Sequence, residues 1–138
     1  MKRIALVLWL ALLTVASAQW VGYAQQPQAA LFTGKSDTMD GKDLTAARRH
    51  FEAGARSYWH SHDNGQLLLV EKGRMRTAKR GQAMKELGPG ESDFTGPAVQ
   101  HWHGAAPAQE LVQINVGFSG GTKWLEAVTE DDYAGRKK

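Results

Sequence analysis

From Leu44 onward the chain alternates short extended stretches with turns that carry glycine: Gly54, Asp63-Asn64-Gly65, Gly73, Gly81, Pro89-Gly90 and Gly96-Pro97. Turn signals roughly every eight to twelve residues leave no room for a helix long enough to bury a face, so the pattern restricts the fold to an all-β sandwich or barrel. Strands are predicted over 45–52, 57–61, 66–71, 74–78, 83–87, 92–94, 99–103 and 110–118. The segment 123–128 could form a turn.

Two strands indicate how the faces are used. In Leu67-Leu68-Leu69-Val70 both parities are apolar, which predicts burial on both sides: one against the interior, the other against a partner surface. In the last long strand Val112, Ile114, Val116 and Phe118 share one face, while Leu111, Gln113 and Asn115 share the other. A face bearing Gln and Asn opposite an apolar one is either solvent-facing or a polar lumen.

The N-terminus has a different character. Lys2-Arg3 precedes an unbroken apolar run from Ile4 to Val15, and Ala16-Ser17-Ala18 supplies a small-x-small cleavage site. Residues 1–18 are therefore expected to be a cleaved signal peptide, with an alternative cut after Ala24. The apolar run is short for a membrane span, so no membrane anchor is expected and the protein is placed in the periplasm or outside the cell. There is no cysteine, which removes any disulfide framework. Cleavage leaves about 120 residues, ample for one domain. They are read as an arm over 19–43, a barrel domain with a C-terminal extension over 44–133, and a tail over 134–138. The formal charge of +3 loses two basic residues with the signal, and nucleic acid is not an expected partner. Arg74, Arg76, Lys79 and Arg80 are read as a solvated hairpin.

Chemistry-bearing residues cluster in two places. His60 and His62, at i and i+2 of an extended stretch, present two imidazoles on one face, and His101 follows behind the Gly96-Pro97 turn. Two neighbouring imidazoles and a distant third are the minimum for a transition-metal site. His103 shares parity with His101 and points either inward or to solvent. Tyr58 shares the ligand parity and is a candidate for the cavity wall. His50 lies apart and is read as a surface residue. Trp59 and Trp102, on the opposite parity, are read as packing that fixes the ligand strands.

Gly54, His60-Ser61-His62, Gln66 and Gly73 resemble the first cupin motif, with glutamine at the usual glutamate. Pro89-Gly90-Glu91, Pro97 and His101 resemble the second, with Ala98 where a glycine is usual and without the downstream asparagine. The segments Trp59–His62, Gly65-Gln66, His101–Pro107 and Trp124–Tyr133 resemble a subgroup of small single-domain cupins. That subgroup includes manganese-dependent bacterial hydroxynitrile lyases and carboxymuconolactone-decarboxylase-like members. The resemblance implies a double-stranded β-helix, the cupin or jelly-roll barrel, with a divalent metal held by His60, His62, Gln66 and His101. In the hydroxynitrile lyases a histidine on the last strand serves as acid or base. The matching residue here is Gln113, which exchanges no proton near neutral pH.

Imidazoles suit Mn, Fe, Ni, Cu or Zn, and a carboxamide oxygen is a weak fourth ligand. Gln66 either ligates directly or hydrogen-bonds a ligand. Without a carboxylate, such a site binds its metal less tightly and leaves it a stronger Lewis acid. Three functions compete: a metal-dependent lyase, isomerase or dioxygenase acting on a small oxygenated molecule; a non-catalytic cupin that binds a metal or small ligand; and a barrel in which the metal is a structural staple. For the enzyme the catalytic candidates are His103, Gln113 and Tyr58. A homodimer or homotetramer is expected.

Overall fold

The computed structural model describes residues 32–136. The signal peptide expected over 1–18 and the arm up to residue 31 lie outside the described residues. Residues 32–39 fall in a separate N-terminal unit and carry bends without strand or helix. No helix among the described residues is long and apolar enough to cross a membrane.

The second unit holds nine strands: β1 (Leu44–Phe51), β2 (His60–His62), β3 (Gln66–Gly73), β4 (Met75–Lys79), β5 (Lys85–Leu87), β6 (Ser92–Thr95), β7 (His101–Ala105), β8 (Leu111–Phe118) and β9 (Thr122–Trp124). One four-residue helix, α1 (Glu130–Tyr133), follows. The strands form two antiparallel sheets, ordered β1-β8-β3-β6 and β5-β4-β7-β2-β9. This is a jelly-roll barrel, the all-β class expected from the turn spacing.

Strand parity sorts the side chains. Leu68, Val70, Met75, Ala105 and Leu111 close one end of the interior, with Phe51 and Leu87 packed against them. The other end is polar. Gln113 has no exposed surface, so the Gln/Asn face of β8 looks into the lumen. On β3, Leu68 and Val70 are buried, while Leu67 and Leu69 on the outer face are half-buried. The back of the second sheet carries a further core of Trp59, Trp102, Ala78, Val128 and Tyr133.

Three readings need correction. The segment 123–128 is not a turn: its first two residues belong to β9, which pairs with β2 through His60↔Trp124 and His62↔Thr122, and 125–128 carry no regular structure. The sequence of β9 is too short to show a period, and only the partner strand makes it extended. Strand β2 starts at His60, not residue 57, since the chain before it bridges through Arg56↔Gly104 instead. The basic hairpin is not wholly solvated: Arg76 pairs with Glu86 and its side chain is 19% exposed, and Lys79 reaches Asp93 with 17% exposed.

Two turns depend on glycine. A Cβ at Gly73 (φ +83°) would lie 1.8 Å from the Glu110 carbonyl oxygen, and one at Gly65 (φ +90°) would lie 2.5 Å from that of Thr95. No other residue fits at either place. Ala98, by contrast, sits at φ 58° without being glycine. Its amide donates to the His62 carbonyl at 2.8 Å, which ties the turn to the ligand strand and holds the alanine in the left-handed region. That region costs an L-residue roughly 1–2 kcal/mol, against about 0.4–1 kcal/mol of extra unfolded-state entropy for glycine. Ala98→Gly is therefore expected to stabilise the protein by about 0.5–1 kcal/mol, read as a higher urea midpoint at unchanged slope. A lower midpoint would show that the alanine is unstrained.

Candidate metal centre

His60 on β2 stands directly opposite His101 on β7, so both imidazoles leave the sheet on the lumen side. Their ring centroids are 4.2 Å apart. His62, two residues along β2, lies 5.1 Å from His60 and 5.5 Å from His101. His103, two residues along β7, lies 5.2 Å from His60 and 5.9 Å from His101. Gln66 opens β3 on the facing sheet, and its Oε1 is 3.1 Å from His101 Nε2. The structure thus brings His60, His62, Gln66 and His101 together and adds His103.

Hydrogen bonding decides what each ring can offer. His60 Nδ1 lies 2.8 Å from the Tyr58 carbonyl oxygen and His101 Nδ1 lies 3.3 Å from that of Val99. A carbonyl only accepts, so each Nδ1 carries the proton and each Nε2 carries a lone pair. His62 Nδ1 lies 3.0 Å from Thr122 Oγ1, and its Nε2 is buried without a partner. Carbonyl oxygens behind His60 and His101 thus set up two Nε2 atoms as ligands, the arrangement found at metal-bound histidines. The unpartnered Nε2 of His62 is the third candidate; a hydroxyl donates or accepts, so the Thr122 contact fits either tautomer of that ring. The approach of His101 Nε2 to Gln66 Oε1 puts two lone pairs together, a repulsion that a cation between them would remove.

His103 is the opposite tautomer. The Gln113 NH2 group donates to His103 Nδ1 at 3.1 Å and also to Asn115 Oδ1. Its Nδ1 therefore accepts, and the proton sits on Nε2. Proximity alone groups His60, His101 and His103, whose ligand nitrogens lie within 4.8 Å of one another. The hydrogen bonds favour His62 over His103 as the third ligand, because a protonated Nε2 cannot bind a metal.

Burial keeps the whole cluster neutral. Loss of hydration is the main cause that lowers His60 and His62, and it brings His101 down to about 3 with further help from His60. His103, fully enclosed, is held well below its ordinary value by burial first and then by His60 and His101. Neutral imidazole is the ligating form. Besides His62 Nε2, Thr95 Oγ1 and Gln113 Oε1 are buried without partners. Orphaned polar atoms in a lumen of soft nitrogen donors fit a divalent transition metal.

A cavity of about 200 Å³ opens beside the cluster, with Thr45, Ala47, His62, Gln66, Asn115 and Thr122 among its walls. A larger one, about 500 Å³, lies behind the second sheet against Trp59 and Trp102, away from the imidazoles. Tyr58 does not wall the cavity: its side chain is 57% exposed, because the chain is not yet extended at 58 and strand parity does not apply. Its contribution is the carbonyl behind His60. His50 is on the surface, 3.4 Å from Glu110. The sequence reading passed over Phe51, which meets the His103 ring edge-on, a contact set by the register of β1 against β8.

No family model matches the chain. It is 35% identical over 112 residues to an (R)-mandelonitrile lyase of Granulicella tundricola, covering 79% of this chain and 76% of that one. A cupin-like protein from Thermotoga maritima is 40% identical in solved structure, with a TM-score of 0.64 over 66% of this chain and 71% of that one. A DMSP lyase from Ruegeria pomeroyi shares the fold alone, with a TM-score of 0.55 at 16% identity over 64% of this chain and 46% of that one.

The lowered histidines set a pH dependence. Below about 6.5 the unfolded chain takes up protons that the folded chain refuses, so stability falls as pH falls, until His101 itself titrates at about 3. Above that window the histidines contribute no slope. Each buried imidazole costs up to about 1.4 kcal/mol per pH unit inside it. Urea unfolding of the metal-free protein between pH 7.5 and 5 is expected to show a steadily falling midpoint, and a flat profile would contradict the neutral cluster.

Proposed function

This chain belongs to the cupins, and from that premise and the site's hydrogen bonding we propose that it is a metal-dependent enzyme acting on a small oxygenated molecule. The class is lyase, isomerase or dioxygenase, and the ligand set is His60, His62, His101 and Gln66. The observation that carries this reading is the pair of Nε2 lone pairs on His60 and His101, each fixed by a carbonyl behind its Nδ1, with the buried, unpartnered Nε2 of His62 beside them. A divalent Mn, Fe, Ni or Zn ion bound there would supply a Lewis acid for a substrate oxygen. The chain's own residues do the rest. His103 offers its Nε2–H to substrate as a fixed hydrogen-bond donor, and Gln113 holds it in that tautomer. The apolar end of the lumen, from Leu68 to Leu111, excludes water behind the site.

The lyase relative bears on the reaction class. His103 can donate a hydrogen bond, but giving up its Nε2 proton would leave an imidazolate, and Gln113 cannot take a proton. Cyanohydrin cleavage therefore lacks its acid/base residue in this chain. That same observation favours a second reading, a cupin that binds its metal or ligand without turnover, which fold and metal allow. Oxygen uptake or product release by the metal-loaded protein separates the two.

Export is part of the proposal, supported by Lys2-Arg3, the apolar run and Ala16-Ser17-Ala18. A homodimer or homotetramer is supported by the half-buried outer residues Leu67, Leu69, Ile114 and Val116 and by Phe94, which is 52% exposed.

Calorimetric titration of the metal-free protein tests the ligand set. His60→Ala, His62→Ala and His101→Ala should each weaken metal binding at least about 100-fold, and His103→Ala less than about tenfold. Gln66→Glu should tighten it by adding a charge–charge attraction; unchanged affinity would place Gln66 outside the ligand set.

For the reaction class, the parent is expected to release almost no cyanide from mandelonitrile. Gln113→His should raise the rate at least about 100-fold, the usual worth of a positioned acid/base group. Brisk cleavage by the parent would show that another residue moves the proton.

A further inference from the structure

Strand β9 is the edge of the second sheet, and it stands against β2 with His60 opposite Trp124 and His62 opposite Thr122. Residues paired across antiparallel strands leave the sheet on the same side, so Thr122 and Trp124 share the lumen face with the two imidazoles. Both pairs are in contact. Thr122 Oγ1 lies 3.0 Å from His62 Nδ1, and Thr122 is also a wall of the cavity of about 200 Å³. The Trp124 ring centre lies 4.8 Å from that of His60, with the planes 39° apart. Trp124 is thus two residues along one strand face from a cavity wall, with its ring against a candidate ligand.

The fold leaves most of this indole unused. Trp59 and Trp102 are buried and form the core behind the sheet, whereas Trp124 is 62% exposed and belongs to neither core. His60, itself buried, meets one side of the ring, and the rest is open. The turn that leads into β9 adds no cation to this rim; it holds the Asp63 carboxylate, which accepts from the Gly121 amide at 2.7 Å. An indole in such a place offers a planar, apolar π surface, and a molecule laid on it is selected by stacking rather than by charge.

We propose that Trp124 is a substrate-binding residue, and that the substrate carries an aryl ring that stacks on the open part of its indole while its oxygen faces the imidazoles. The inference rests on the function proposed above and narrows its substrate class to small oxygenated molecules bearing an aryl group. Aromatic pairs prefer offset or edge-on arrangements with ring centres about 4.5–7 Å apart, which an indole at an open strand edge leaves room to adopt. A saturated ring of the same size gains apolar contact there but no aromatic pairing, and that difference is the selectivity Trp124 supplies.

The test is a cycle between Trp124 and the aromaticity of the ligand. Benzohydroxamate and cyclohexanecarbohydroxamate carry the same metal-directed group on rings of similar size, one planar and aromatic, the other puckered. Binding of both is measured by calorimetry to the manganese-loaded parent, Trp124→Leu and Trp124→Phe, with manganese affinity measured on each metal-free protein. Trp124→Leu keeps apolar bulk beside His60 and removes the aromatic face. It is expected to weaken benzohydroxamate at least about fivefold and the cyclohexyl compound less than about twofold, with unchanged manganese affinity. Trp124→Phe should fall between parent and Trp124→Leu for benzohydroxamate. Equal losses for the two ligands, or no loss for benzohydroxamate, would overturn the role, and a matching fall in manganese affinity would make the indole packing for His60. The proposed function fails separately: if the parent retains no manganese, the metal reading falls. The Trp124 Nε1–H resonance of the metal-free protein, assigned by its absence from Trp124→Phe, then decides the stacking. Benzyl alcohol should shift it and cyclohexylmethanol should not; no shift with benzyl alcohol, or equal shifts with both, would overturn it.

Discussion

The oxygens behind the imidazoles govern the rest of this site. The Tyr58 carbonyl, the Val99 carbonyl and the Thr122 hydroxyl each meet an Nδ1; the two carbonyls turn an unprotonated Nε2 of His60 and His101 to the lumen, and the hydroxyl holds the His62 ring in place. Two of these oxygens are backbone carbonyls, and the third sits on a side chain at the start of a strand. Tyr58 precedes the start of β2, Val99 leaves the turn at Ala98, and Thr122 opens β9, so the ligand geometry is inherited from how three separate backbone segments end. The barrel cannot shift register at any of them without losing a ligand lone pair.

Support for those segments comes from outside the barrel. Trp59 and Leu125–Glu126 exchange backbone hydrogen bonds of 2.9 and 3.0 Å, and the Tyr133 hydroxyl donates to the Ala105 carbonyl at 2.7 Å. The guanidinium carbons of Arg56 and Arg76 lie 4.3 and 5.1 Å from the Tyr133 ring centre, and that of Arg80 lies 4.0 Å from the Trp59 ring. The C-terminal segment thus clamps the back of the strands whose front carries His60, His101 and His103. Cations over aromatic faces, partly withdrawn from water, make that clamp stronger than a row of exposed ion pairs.

What the sequence made legible follows from range. The i, i+2 pair His60 and His62 and the turn glycines at 65 and 73 are local facts, and strand parity reads them directly. Parity also allowed His103 to be placed inward and left Gln113 between solvent and lumen; burial against His103 settles the latter. It failed for Tyr58, because alternation holds only inside a strand and the strand begins two residues later. It failed for β9, whose extended form exists only as a partner to β2. The contact of Phe51 with the His103 ring was hidden too, since it depends on the register of β1 against β8, which the sequence does not print.

The tautomer of His103 links the fold to the chemistry. Gln113 donates to Nδ1 because Asn115 accepts the second amide proton, so two carboxamides on one strand fix the orientation of a ring on another. A histidine at position 113 would make that contact titratable; the amide makes it permanent. The site therefore does not change its own protonation state near neutral pH: four uncharged imidazoles, amides for acid/base groups and a hydrogen-bond donor that cannot become a base. The buried carboxylate Asp93 is already paired with Lys79 and Lys85, and on the proposed function a bound metal would bring positive charge to the imidazoles. On the proposed function, chemistry in such a lumen would proceed by stabilising negative charge on the bound molecule rather than by moving protons through the protein.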